Sequence, residues 1–242
     1  VLATLWLRLP IGGAWRGSLT GAPALAEVAR RFREFPLLNT PHAFAGALQD
    51  TLSLALIAAT LGPAAAGFWG LSLRYLKAPA TLVGGAVSQA LYPKLGALGA
   101  GATAEGRQAV RRVMGLLLLL ALPLVVVVAS LGPWAFAGLF GEPWRPAGEL
   151  ARALSLYIGL HFVAAPLAVV TLAWQAQAWA LKLALVGQVV FVLALALGLH
   201  WGGLVGAGWA VSAAMLAYFG FYFWSLARWP VGPAPAMKES AL

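Results

Sequence analysis

Three long stretches of this chain contain no Asp, Glu, Lys or Arg: residues 113–141, 153–181 and 183–227. An apolar run of about 18 residues or more is long enough to cross a bilayer as a helix. Runs such as VMGLLLLLALPLVVVVAS do not alternate between apolar and polar, as a transmembrane β-strand of about ten residues must. Composition agrees: 62% of the 242 residues are hydrophobic and 10% are charged, where a soluble domain carries roughly a quarter charged. The chain therefore reads as all-α, a polytopic transmembrane helical bundle of about six spans.

The spans are expected over 37–61, 64–97, 109–131, 149–173, 179–199 and 203–227. Helix breakers mark the turns: LGP at 61–63, LGP at 131–133 and HWGGLVGAG at 200–208. Residues 1–7 resemble the tail of a preceding span. Residues 8–36 form a basic connector whose ALAEVARRFREF segment suits an amphipathic helix at a membrane surface. Residues 228–242 are a tail. The chain opens on Val1 and on a span's end, so a preceding half is expected. The second span is too long for its membrane: its 34 residues would reach about 50 Å against a core of about 30 Å. It must project or bend, and Pro79 offers the bend.

A net charge of +9 would suggest nucleic acid in a soluble protein. Here the distribution of charge explains it, and no nucleic-acid partner is expected. Twelve Lys and Arg fall on one side of the spans, among them Arg30, Arg31, Arg33, Arg107, Arg111, Arg112 and Arg228, against Arg145 and Arg152 on the other. By the positive-inside rule the connector, the loop near 98–108 and the C-terminus face the cytoplasm. The chain has no cysteine, which excludes a disulfide frame and a thiolate metal site.

Two cations remain inside the membrane. Arg74 lies 12 residues after Gly62 and Asp50 12 residues before it. An antiparallel hairpin turning at Gly62 puts both about 18 Å below the turn, near the midplane. Arg at that depth costs about 3 kcal/mol even on the lowest scales, so it must face protein or water. At helical spacing Gly67, Gly70, Arg74, Lys77, Thr81, Gly84, Ser88 and Tyr92 share one face, and Asn39, His42, Gly46, Gln49, Asp50, Ser53 and Thr60 share another. Two readings follow. The stripes line a wet, cationic cavity, or small residues pack closely around a dry Asp50–Arg74 ion pair. Two cations against one acid favour the cavity and an anionic ligand, with phosphate suited to a bidentate arginine.

On this reading Arg74 and Lys77 bind the anion, while Asn39, Gln49, Ser53 and Gln89 are placed to meet a polar substrate. Asp50 and His161 are the candidates for ion or proton coupling, although for His161 a histidine hydrogen-bonded to a neighbouring helix is the favoured reading. Trp134, Trp144, Trp201 and Tyr157 fit an interfacial aromatic belt. No phosphate loop of the GxxxxGK[ST] kind and no HExxH is present, and Glu142 and Glu149 are the only outer acids. No enzymatic activity, metal or cofactor is expected.

The stretch RRFREFPLLNTPHAFAGALQDTLSLALIAATLGPAAAGFWGLSLRYLKAPATLVGGAVSQALYPKLGAL resembles the second half of bacterial polysaccharide flippases. These are the O-antigen and lipopolysaccharide repeat-unit exporters of the multidrug/oligosaccharidyl-lipid/polysaccharide superfamily. The resemblance rests on RRFxxFPLxN, GPxxxGFxxLxxR and VxQxLYPKLxAL, and on FAGLFGEPWRPAGELARALSLYIGLHFVAAPL further on. It implies one half of a flippase fold of twelve or more helices, in the bacterial inner membrane. It implies export of a polyprenyl-pyrophosphate-linked oligosaccharide from the cytoplasmic to the periplasmic leaflet by alternating access. Arg74 matches a recurrent arginine of the GxxxLxxR helix. Lys77 and Asp50 match no family role and rest on depth and face alone. The implied partners are the lipid-linked oligosaccharide, membrane lipids, the N-terminal half of the transporter, and polysaccharide polymerase and glycosyltransferases. Alternatives from the same superfamily are a peptidoglycan-precursor flippase and a multidrug antiporter, the latter less suited to one acid among two bases. A non-transporting membrane scaffold subunit is the alternative of another class.

Overall fold

The computed structural model describes residues 34–99 and 101–231. The expected span tail at 1–7, most of the connector at 8–36 and most of the tail at 228–242 lie outside the described residues. Those described are helical almost throughout: α1 (Glu34–Leu61), α2 (Pro63–Leu76), α3 (Ala78–Ala97), α4 (Ala104–Phe140), a 3-10 turn (Glu142–Trp144), α5 (Arg145–Ala173) and α6 (Gln177–Ala227). The chain divides at Pro41 into two compact units. Of the first, only the opening of α1 is described. The clefts and the packing described below lie in the second.

Four of these helices are long and apolar enough to cross a membrane: α1 from Thr40 to Leu61, α4, the run Glu142–Ala173, and α6. The last is two helices joined across a kink at Gly202 (φ −146°) and Gly203 (φ 57°, ψ −148°). The break expected at HWGGLVGAG is therefore real, and Gly203 sits in a backbone region that a Cβ disfavours. The expected second span is divided. α2 has 14 residues and α3 has 20, and they meet at Lys77. Pro79 has no N–H to give the Tyr75 carbonyl, so the helical ladder lapses there.

The LGP at 131–133 does not end its helix, contrary to expectation. α4 runs on through Pro133 to Phe140. A proline interrupts a helix partly by orphaning the carbonyl four residues earlier, here that of Ala129. Arg152 of α5 supplies the missing donor: its Nε donates to the Ala129 oxygen at 2.9 Å. The carbonyl freed by Pro133 thus finds its donor on the neighbouring helix.

α5 is the axis of the bundle. It packs along α4, α6, α3 and α2, and Leu150, Leu154, Val163, Leu167 and Val170 are fully enclosed. Lipid is as apolar as leucine, so close packing and hydrogen bonds must hold such a bundle rather than exclusion of water. Both are present. Gly148 lies directly against Gly132 and Pro133 of α4, and Gly208 of α6 against Ala153. Ser72 Oγ donates to the Ala147 carbonyl at 2.9 Å, and Ser212 Oγ to that of Ala153 at 2.6 Å. The outer face of α4 is the opposite: Leu116, Leu119, Leu122 and Val126 are each more than 60% exposed. An apolar face of that size is untenable in water and ordinary against lipid.

One end of the bundle is basic. Arg111 Nε donates to the Ala227 carbonyl at 2.7 Å and Arg107 Nη1 to that of Trp229 at 3.3 Å. These cations cap the C-terminal end of α6, where the helix dipole favours positive charge. Trp174, Trp179 and Trp229 gather at the same end. Arg145 and Arg152 lie at the other, each paired with an acid three residues before it.

Candidate cationic cleft

The chain turns between α1 and α2 within one residue. Gly62 takes a positive φ of 87°, and Pro63 starts α2 where its missing N–H costs nothing. The hairpin is splayed: the α1 backbone runs close to no other helix along any length. Two clefts result, one on each side of α1.

The first, of about 270 Å³, lies between α1 and α2. Asp50, Leu54, Trp69, Gly70, Leu73, Arg74 and Lys77 line it. The second, of about 240 Å³, lies between α1, α5 and α6, and its walls include His42, Gly46, Gln49, Asp50, Lys77, Tyr157, His161 and Gln188. Asp50 and Lys77 belong to both. A further space of about 210 Å³ continues past His42 and His161 towards Thr171 and Tyr222.

Arg74 and Asp50 are exposed, Lys77 and Gln49 half-buried. Among the described residues the ion pairs are Arg145–Glu142 at 2.6 Å and Arg152–Glu149 at 3.2 Å. The dry Asp50–Arg74 pair weighed from the sequence is not formed. Lys77 is held differently. Its Nζ stands 5.9 Å from the centroid of the Tyr157 ring, close enough for the negative π face to offset part of the ammonium's lost hydration. Tyr157 was expected in an interfacial belt. It is instead 4% exposed, mid-helix, and packed on Phe191, Phe219 and His161. Trp134 and Trp201 are exposed at 69% and 81%, as a belt requires.

The other expected site residues scatter. Ser53 is buried, and its hydroxyl donates to the carbonyl of Gln49 at 2.7 Å, so it lines neither cleft. Gln89 is exposed on α3 away from both. Asn39 lies in α1, with its side chain outside the described residues. The lower part of the α2–α3 stripe packs rather than lining a cavity. Gly84 sits against Pro166, and Ser88 Oγ donates to the Pro166 carbonyl at 3.2 Å. His161 faces the second cleft and makes no side-chain hydrogen bond to a neighbouring helix among the described residues. Gln188 was missed. It is the one polar side chain between Lys182 and His200, and a lone amide in so apolar a run was the available signal.

The arrangement can bind and position an anion. A guanidinium in the last turn of α2 and an ammonium at the α2–α3 junction oppose one carboxylate around the open space of the two clefts. No group of His, Asp and Glu among the described residues is clustered so as to hold a metal ion.

Residues 23–149 match the family described as polysaccharide biosynthesis protein. No curated protein and no solved structure matches the chain.

Proposed function

Because the chain belongs to the polysaccharide biosynthesis protein family, we propose that its clefts carry the charged head of a polyprenyl-diphosphate-linked oligosaccharide across the membrane. Family membership alone gives the coarser statement, a role in polysaccharide export or synthesis. The observation behind the finer one is the pair Arg74 and Lys77, open to clefts where α2 meets α3, with Asp50 as the one acid beside them. A flippase must pass a polar head through the bilayer while the chain stays in hydrocarbon, and an unmatched cation at that depth is otherwise costly.

In this reading Arg74 grips the diphosphate bidentately and Lys77 acts as a point charge. Gln49 reaches sugar hydroxyls. Asp50 and His161, which share the second cleft, are the pair to test for ion or proton coupling. The kink at Gly202–Gly203, the lapse at Lys77 and Pro166 are places where helices can rearrange between inward- and outward-open states. Translocation breaks no covalent bond, so neither catalytic residue nor cofactor is required. The basic end of the bundle faces the cytoplasm of the bacterial inner membrane. An N-terminal half completes the transporter, which hands its cargo from glycosyltransferases to a polymerase.

The test is a flipping assay with the full-length protein in phospholipid vesicles. A fluorescent polyprenyl-diphosphate-linked sugar is followed by its accessibility to an impermeant reductant. Removing one charge-assisted hydrogen bond costs about 1.5–3 kcal/mol. Arg74→Ala and Lys77→Ala should each slow flipping about tenfold or more, with Lys77→Arg recovering part. Wild-type rates in both alanine variants would overturn the roles given to Arg74 and Lys77, and no flipping by the wild-type protein would favour a scaffold.

A further inference from the structure

The second cleft adjoins an apolar groove. On the same side of α1, Ala45, Leu48, Leu52, Leu185, Val189 and Leu193 wall a space of about 310 Å³ between α1 and the first half of α6. Gln49 and Gln188 line this groove and also line the cleft that holds Lys77 and Asp50. The two glutamines therefore stand at a junction, with cation on one side and hydrocarbon on the other. The junction is narrow and loosely closed. A Cβ added at Gly46 would only just meet Gln188 Nε2, at 3.8 Å, and the backbones of α1 and α6 do not pack along any length.

Exposed leucine and valine are what any lipid-facing helix shows. A concave apolar groove opening through two amides onto a half-buried cation is not. Amide groups at bilayer depth are costly unless something polar meets them. Gln49 and Gln188 are half-buried and each lines both the groove and the cleft, so their amides border open space. A phospholipid acyl chain in the groove would leave them facing hydrocarbon. A ligand with an anionic, hydroxyl-rich head and a long hydrocarbon chain satisfies amides, cation and groove together. The cleft on the other side of α1 is unsuited to the chain, because Asp50 and Arg74 both face it.

We infer that the gap between α1 and α6 is a lateral doorway, in which the hydrocarbon chain of the lipid-linked substrate lies in the apolar groove while its diphosphate reaches Lys77 past Gln49 and Gln188. This rests on the head-group reading above, and the experiment separates the two.

Full-length protein in phospholipid vesicles is photolabelled with a polyprenyl diphosphate carrying a diazirine in its chain, and in parallel with the same chain as the free alcohol. Labelled peptides are mapped by mass spectrometry. The diphosphate should label residues 45–52 and 185–193 at least fivefold above residues 118–122, the lipid-facing surface of α4, and well above the alcohol. Val189→Trp, or Leu193→Trp further along, should cut that labelling at least fivefold while leaving binding of inorganic pyrophosphate unchanged. Equal labelling of the groove and the α4 face would make the groove ordinary lipid-facing surface filled by phospholipid, and the doorway would be wrong. Labelling that Lys77→Ala abolishes but that maps away from the groove would overturn the doorway and leave the head-group reading standing. Groove labelling equal for alcohol and diphosphate would overturn both.

Discussion

Arg152 and Pro133 should be energetically coupled although they sit on different helices. Pro133 leaves the Ala129 carbonyl without its helical donor, and Arg152 Nε fills the place at 2.9 Å. In Arg152→Ala that carbonyl is orphaned at a site where α4 and α5 are in close contact. A hydrogen bond to a charged group contributes about 1.5–3 kcal/mol. The accompanying Arg152–Glu149 contact is 40% exposed on both sides, and such pairs add between about 0 and 1 kcal/mol. The expected loss is therefore about 2 kcal/mol, roughly a thirtyfold shift in the folded-to-unfolded ratio. Pro133→Ala returns an N–H to the helix. In that background the same arginine substitution should cost well under half as much, because Ala129 regains its own partner. The assay is a double-mutant cycle by reversible unfolding in mixed micelles, with the four proteins compared at fixed detergent composition. A coupling energy near 1 kcal/mol or more is expected. If the two substitutions add to within about 0.5 kcal/mol, Arg152 is not repairing Pro133 and the account of α4 is wrong.

Gly148→Ala should destabilise by about 1–3 kcal/mol, because its new Cβ meets the backbone of Gly132 and Pro133, which cannot give way. Gly67→Ala and Gly85→Ala, with nothing within 4 Å, should not destabilise in the same assay and should gain up to about 1 kcal/mol from helix propensity. At Tyr157 a ring is needed rather than a hydroxyl. Tyr157→Phe should keep flipping near wild type, whereas Tyr157→Leu should lower it several-fold, since a cation–π contact open to water contributes about 0.5–1 kcal/mol. Equal rates in the two variants would remove the tyrosine from the account of Lys77.

The helical class and most helix positions were legible because lipid imposes them: apolar runs of spanning length admit few other structures. The Gly202–Gly203 break was legible for a local reason, since paired glycines tolerate a conformation others avoid. Pro133 misled because its fate is decided by a side chain 19 residues away in sequence, which local punctuation does not reveal. The polar stripes were half legible. Periodicity put Arg74, Lys77, Gly84 and Ser88 on one face, but it could not say which neighbour that face would meet. The upper part opens on the clefts and the lower part packs on Pro166. Tyr157 was misplaced because aromatic residues near a polar residue suit both an interface and a buried cation. Only depth distinguishes them, and depth depends on where α5 begins. Gln188 went unread because a neutral amide carries no charge, though its isolation in an apolar run marked it.

The central claim is that Arg74 faces a wet path for an anionic head. These 242 residues contain no cysteine, so Arg74→Cys can be placed in the complete protein in an otherwise cysteine-free background. Cells are then treated with a membrane-impermeant thiol reagent. The account predicts labelling at position 74 that falls as lipid-linked oligosaccharide accumulates. No labelling from either side in a folded protein would mean that position 74 is dry, and the cleft would not be a substrate path.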